Sequence, residues 1–243
     1  MQLKDYLSRR KQLRDQEDAP RASCNICLCS RSACYCSKLS AFDPKIQFCI
    51  LIHPLEAKRR IATGRMSHLT LENSKLIRGE DFSKNSIVNQ VISDPNYKSF
   101  ILYPGAKAKN LSMMSVKDLK LSFGSQPGKR LTVFVIDGTW KTARKMLRLS
   151  KNLETLPRIC FSPPALSRFR VRKQPRPEFY STIEAIHHCI ELLGPHCEFD
   201  TSSRKHDALI EVFDHMVEKQ LKFVPKSLSK VHLRSRLLGP AKQ

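Results

Sequence analysis

Four short, continuous apolar runs set the class of fold open to this chain: IQFCILI (46–52), SFILY (99–103), LTVFVI (131–136) and RICF (158–161). Runs of this length with no polar alternation read as strands buried on both faces. Helical patterns lie between and after them, at 63–71, 139–149, 182–193 and 205–223. Buried strands alternating with amphipathic helices predict an α/β fold with a mainly parallel sheet. In such folds ligands gather beyond the carboxyl ends of the strands. Residues 105–130, rich in Lys, Ser and Gly, and 162–179, SPPALSRFRVRKQPRPEF, read as irregular, and no internal repeat is present.

The N-terminal quarter follows different rules. SCNIC and SACYC, with Cys29 between them, crowd five of the chain's nine cysteines into residues 24–36. An odd cysteine count in a chain that starts MQLKDYLSRRKQLRDQEDAP, mixed in charge and unlike a signal peptide, argues against a disulfide framework and for a reducing, cytoplasmic setting. Cys24-x2-Cys27 grips an ion from one tight loop, and Cys34-x-Cys36 brings two more thiolates, a set suited to structural Zn²⁺. So short a segment cannot bury a core of its own, and metal binding supplies its folding energy. Cys29 is a fifth candidate, read as a spectator; small buried hydrophobes are the competing reading of the cluster. Cys49, Cys160 and Cys189 sit in apolar strand- or helix-like contexts, and Cys197 is assigned no role. The expected layout is an N-terminal extension (1–23), the cysteine cluster (24–40), a catalytic domain (41–223) and a basic tail (224–243).

Charge points to the partner. Lys and Arg number 43 against 22 Asp and Glu, a formal charge of +21, far beyond what solubility requires. Such a surface attracts polyanions and gains from counterion release on each neutralised phosphate, so nucleic acid is expected. No apolar run is long enough to cross a membrane and no lipidation motif occurs, so no membrane partner is expected. No feature calls for an obligate protein partner. The phosphate loop, the dinucleotide fingerprint and the serine-hydrolase elbow are all absent.

VFVIDGTWK is the most informative stretch. A strand ending at Ile136 puts Asp137 at its carboxyl end, where a ligand meets the N–H groups of the next helix. The competing reading makes Asp137 or Thr139 a helix cap and Trp140, the only tryptophan, a core residue. The helix after it carries Lys141, Arg144, Lys145 and Arg148 at helical spacing. Ser181-x-x-Glu184 matches a capping box ahead of an apolar face of Ile183, Ile186, Ile190 and Leu193. RFRVRKQPRP places Arg168, Arg170, Arg172, Lys173 and Arg176 on a segment able to offer one face to phosphates. HPLE with Arg65 beyond it, and LYPG (Leu102, Tyr103, Pro104, Gly105), each follow a strand's carboxyl end.

In order along the chain, the cysteine cluster, HPLE, TGR, LYPG, DGTW, RVRKQP and STIEA resemble the DTW-domain family, whose Asp-x-Thr-Trp motif stands here as Asp137-Gly138-Thr139-Trp140. The resemblance spans nearly the whole chain. It implies a SPOUT-like α/β fold with a C-terminal knot, and a tRNA-uridine aminocarboxypropyltransferase. Such enzymes move the 3-amino-3-carboxypropyl group of S-adenosylmethionine to N3 of a uridine and release methylthioadenosine. It further implies that Asp137, with Thr139 and Trp140, acts on the uridine or orients the donor. Leu102, Tyr103, Pro104, Gly105, Gly138, Ser181, Thr182 and Glu184 would hold S-adenosylmethionine, and Arg65, Arg170, Arg172 and Lys173 would receive the phosphates of tRNA or the donor's carboxylate. A SPOUT-type RNA methyltransferase and a non-catalytic zinc-and-basic RNA-binding factor are the alternatives.

Overall fold

A computed structural model of the protein describes residues 23–171 and 179–222. At its centre is a six-stranded sheet: β1 (Gln47–Ile52), β2 (Ser74–Arg78), β3 (Tyr97–Leu102), β4 (Lys109–Asn110), β5 (Arg130–Asp137) and β6 (Arg158–Cys160). The order across it is β2-β1-β5-β3-β6-β4, and every pairing is parallel. The expected α/β fold is therefore present, and the four apolar runs are β1, β3, β5 and β6.

Helices α1 (Thr63–Thr70), α2 (Ser86–Ser93), α3 (Val116–Phe123), α4 (Trp140–Leu149), α5 (Thr182–Leu193) and α6 (Ala208–Leu221) cover both faces. Strand residues alternate between two cores. Phe48 and Ile50 of β1 and Val133 and Val135 of β5 share one with Met66 of α1, Ile183 and Ile186 of α5, and Phe213 of α6. Cys49, Leu51 and Phe134 share the other with Val88 of α2 and Met146 of α4. With both faces covered, all six residues of β1 are buried, which is why the run shows no polar alternation.

The topology locates a crevice. After β1 the chain turns to β2 on one side, and after β5 it passes beyond β3 to β6 on the other. These two strands are neighbours, with Ile52 opposite Asp137. Connections leaving adjacent strands in opposite directions open a gap at their carboxyl ends, the place where such sheets bind ligands.

The cysteine segment packs on the helices of the first core. Cys27, Cys29 and Tyr35 belong to that core. Lys219 Nζ of α6 donates to the Cys34 carbonyl at 2.7 Å, and Arg65 Nη1 of α1 donates to the Cys27 carbonyl at 3.3 Å. The knot stays an implication of the resemblance; residues 172–178, the extension before residue 23 and the tail from 224 lie outside the described residues. Among the described residues no helix is long and apolar enough to cross a membrane.

Candidate functional site

Asp137 is the last residue of β5 and is 5% exposed. Strand alternation turns it toward the α1 and α5 side of the sheet, as it does Val133 and Val135. Thr182, the first residue of α5, donates its hydroxyl to Asp137 Oδ1 at 2.6 Å. On the other side stands Gly64 in the first turn of α1: a Cβ built there would lie 2.5 Å from Asp137 Oδ2. The carboxylate is thus clasped between the N-terminal turns of two helices, where the exposed N–H groups and the helix dipole favour an anion. Ala62, at the N-cap of α1, contributes no side-chain cap. The Asp137 carbonyl also accepts from the His53 N–H at 2.9 Å, which ties the end of β5 to the start of the β1 loop.

Above Asp137 opens a pocket of about 470 Å³. Leu102, Tyr103 and Pro104 from the end of β3, Asp137, Gly138, Thr139 and Trp140 from the β5–α4 turn, and Ser181 and Thr182 from the start of α5 all line it. Trp140 lies 4.5 Å from the Phe179 ring and 6.0 Å from the Tyr103 ring, centroid to centroid. Thr139 caps α4, accepting from the Thr142 N–H at 3.2 Å. A Cβ at Gly138 would stand 2.7 Å from Thr142 Oγ1, so the turn closes tightly only on glycine. Thr63, from the stretch after β1, lines it too, and sequence reasoning missed the contributions of Phe161, Pro163, Phe169, Phe179 and Tyr180. Only aromatic content near PEFY hinted at Phe179 and Tyr180.

Other expected site residues stand elsewhere. Gly105 does not line the pocket and faces Arg158. Glu184 is 4% exposed and completes the capping box of α5. Its carboxylate accepts from the Ser181 N–H at 2.8 Å, the Ser167 hydroxyl at 2.8 Å and the Arg168 N–H at 2.6 Å. It therefore anchors the Ser167–Arg168 loop and does not face the pocket. Arg65 is 7% exposed, and its guanidinium donates to the carbonyls of Cys27, Arg59 and Ala57. That places it inside the protein, holding the cysteine segment, with no face toward a polyanion. Arg170 is exposed outside the pocket, and Arg172 and Lys173 lie outside the described residues.

The cysteine cluster can be tested against metal geometry. Tetrahedral Zn²⁺ with Zn–S bonds of about 2.3 Å separates its sulfurs by roughly 3.8 Å. Cys24 Sγ lies 3.6 Å from Cys36 Sγ, and Cys27 Sγ lies 3.7 Å from Cys34 Sγ. All four ligand atoms fall within 4.8 Å of one another. The residues fit zinc. Cys29 turns away and donates its thiol to the Arg60 carbonyl at 3.2 Å. Burial pushes the Cys29 thiol up to about 12, whereas hydrogen bonds from the backbone of Cys27 and Ile26 bring Cys24 down to about 6. Burial also pushes Cys36 upward, with further rise from the Cys24 and Cys34 thiols, an effect that a cation among the sulfurs reverses.

With this geometry in place, the comparisons with known proteins are specific. The DTW domain matches residues 21–221. The chain is 26% identical over 180 residues to tRNA-uridine aminocarboxypropyltransferase 2 of Drosophila melanogaster, covering 71% of this chain and 67% of that protein. It is 26% identical over 183 residues to the protein of the same name from Mus musculus, covering 71% of this chain and 57% of the relative. No solved structure matches.

Proposed function

We propose, on the premise that this chain belongs to the DTW-domain family, that it modifies a uridine of tRNA by moving the 3-amino-3-carboxypropyl group of S-adenosylmethionine to N3. The names of its curated relatives support this reading. The chain spans between 57% and 67% of their lengths, so the activity is inferred for the shared part.

The observation that carries it is the carboxylate of Asp137 at the base of a pocket walled by Tyr103, Trp140 and Phe179. A sulfonium cation suits aromatic faces beside an anion. A pocket of about 470 Å³ falls within the size range of cofactor sites. In the transfer, uridine N3 forms a bond to the substrate carbon next to the sulfonium. The carbon–sulfur bond breaks, and its electron pair stays on sulfur, leaving neutral methylthioadenosine. The N3 proton must leave, and Asp137 is the carboxylate positioned to accept or orient it. The sulfonium is already a good leaving group, so positioning by Thr182, Thr139 and the aromatic wall carries much of the rest. Zinc held by Cys24, Cys27, Cys34 and Cys36 supplies folding energy to the N-terminal segment and takes no part in the transfer. Reduced thiols at that site fit work in the cytoplasm.

The test is to incubate the protein with unmodified tRNA and S-adenosylmethionine and run mass spectrometry on the nucleosides and the spent donor. Aminocarboxypropyl-uridine with methylthioadenosine is expected. Methylated nucleoside with S-adenosylhomocysteine would replace this reading with a methyltransferase. Asp137→Asn should lower the transfer rate by about 100-fold or more; full activity would remove the carboxylate role.

A further inference from the structure

A second cavity lies outside the pocket. It is a groove of about 820 Å³ between the cysteine segment, the Arg59–Ile61 loop, the Phe169–Val171 segment and the end of α6. Its floor is apolar, with Ala33, Ile61, Phe169 and Val171, and its rim carries Arg59 and Arg60, both exposed. Lys58 and Arg31, exposed as well, adjoin these walls in the sequence. Ser30 and Ser32 put hydroxyls on the opposite, cysteine-borne wall. Arg59 is paired with Glu56 at 3.3 Å, whereas Arg60 makes no ion pair among the described residues.

Two features join this groove to the pocket. Phe169 lines both. Ile61 in the groove and Thr63 in the pocket, the first residue of α1, are two residues apart in the chain. A ligand continuous through both would run from the cysteine segment, past Phe169, to Asp137.

We propose that the groove binds the unpaired RNA nucleotides that flank the modified uridine, phosphates toward Arg59 and Arg60 and bases toward the apolar floor. This rests on the reading of the pocket as a uridine site. The argument for RNA is charge together with continuity. A chain of formal charge +21 presents a basic rim on a large groove that shares a wall with the pocket. An apolar floor beneath a cationic rim is the surface that accepts unstacked bases while tracking a backbone. The argument for unpaired nucleotides is access: N3 of a paired uridine is occupied by its partner base, so the uridine must leave the helix to reach Asp137, and its neighbours leave the stack with it. The zinc-folded segment then acts as one wall of the substrate site, and the metal governs RNA affinity while leaving the donor's pocket intact.

The test uses the full chain and Arg60→Glu. Binding of tRNA is followed by fluorescence anisotropy across a salt series, S-adenosylmethionine binding by calorimetry, and transfer by mass spectrometry. Arg60→Glu should weaken tRNA binding about 10-fold or more and lower the slope of log affinity against log salt by about 1 to 2. Donor affinity should stay unchanged, with KM for tRNA raised and kcat kept. Amide exchange at 59–61 and 30–33 should slow when RNA is added. Unchanged tRNA affinity and salt slope in Arg60→Glu, with transfer intact in the parent protein, would overturn the groove alone. Slow exchange at 59–61 before RNA is added, unaltered by it, would assign the groove to a segment of this chain and also overturn the proposal. A weakened, less salt-dependent Arg60→Glu in a protein that makes no aminocarboxypropyl-uridine would keep the groove as an RNA site and remove the transferase reading.

Discussion

The cysteine segment and the Asp137 crevice are both built from loops and short turns, yet they are held by opposite means. Across the cysteine segment the regular structure is two three-residue 3₁₀ turns, Arg31–Ala33 and Cys36–Lys38. Its order comes from four converging sulfurs and from hydrogen bonds reaching in from Arg65 and Lys219. Each residue of the crevice instead ends an element with a buried body: Asp137 ends β5, Thr182 starts α5 and Gly64 lies in the first turn of α1. One region is gathered around four sulfurs spaced to fit a metal, and the other is set by steric closeness of elements the sheet already fixes.

Removing the metal should show the largest difference between the two. A strong chelator, or Cys27→Ser, should unfold residues 24–38, because structural zinc supplies on the order of 10 kcal/mol to a segment of this kind. Amide protection should vanish there while β1 and β5 keep theirs, and the affinity for S-adenosylmethionine should change by less than about 2-fold, within the usual scatter of distant, uncoupled sites. If the sheet melts together with the segment, the two regions are one cooperative unit and the comparison fails.

Gly64→Ala should do the reverse. Alanine favours a helix by about 1 kcal/mol over glycine, so propensity alone predicts a slightly more stable protein. The added Cβ, though, meets Asp137 Oδ2 at 2.5 Å and must push the carboxylate aside. A displacement near 1 Å can cost about 100-fold in rate. Transfer should fall by that order while zinc content and tRNA affinity hold. A variant that is stable, zinc-loaded and fully active would show that Asp137 tolerates displacement, and the crevice would lose its steric definition.

The sequence made the strands legible where burial is two-sided and illegible at the sheet's edges. β2, SKLIR, buries only Ile77 and has no apolar run to announce it, and β4 is two residues long. α3 sits in a stretch whose Lys, Ser and Gly content reads as loop; only Leu119 and Phe123 of it are buried. The four zinc-fitting cysteines were readable from spacing, because a metal site imposes its geometry locally. The Thr182–Asp137 bond was not, since 45 residues separate the partners and only the sheet brings them together. Arg65 misleads in the other direction. In a chain this basic an arginine after a strand reads as a phosphate contact, yet buried carbonyls of a loop need donors and Arg65 supplies them.

The smallest expected effect tests whether the two regions share a support. At the corner where α5 meets the start of α6, His187 Nε2 lies 2.9 Å from Asp207 and His206 Nε2 lies 2.9 Å from Glu191, while Arg204 bridges both carboxylates at 2.6 and 2.7 Å. His188, the neighbouring residue on α5, packs edge-on against Phe161 and Tyr180 instead. Burial lowers His187, with the bond to Asp207 opposing it only in part. For Asp207 and Glu191 burial pushes upward, but hydrogen bonds from Arg204 and His187, and from His206 and Arg204, outweigh it and hold both carboxyls below their usual range. All three groups therefore bind fewer protons folded than unfolded, so stability is present at neutral pH and is lost as pH falls. The loss begins below 6.5, where unfolded histidine protonates, and deepens below 4.5 and 3.8 as the carboxyls follow. His68, His188 and His215 are lowered too, so the informative quantity is a difference between variants. His187→Gln should flatten the thermal midpoint between pH 7 and 5 relative to the parent protein and leave the acid limb in place. Because α5 positions Thr182 on Asp137 and α6 positions Lys219 on Cys34, acid should speed amide exchange at 181–184 and at 24–38 to a similar degree. Faster exchange at only one of them would mean that the corner supports that region alone, and that the crevice and the zinc segment are held independently.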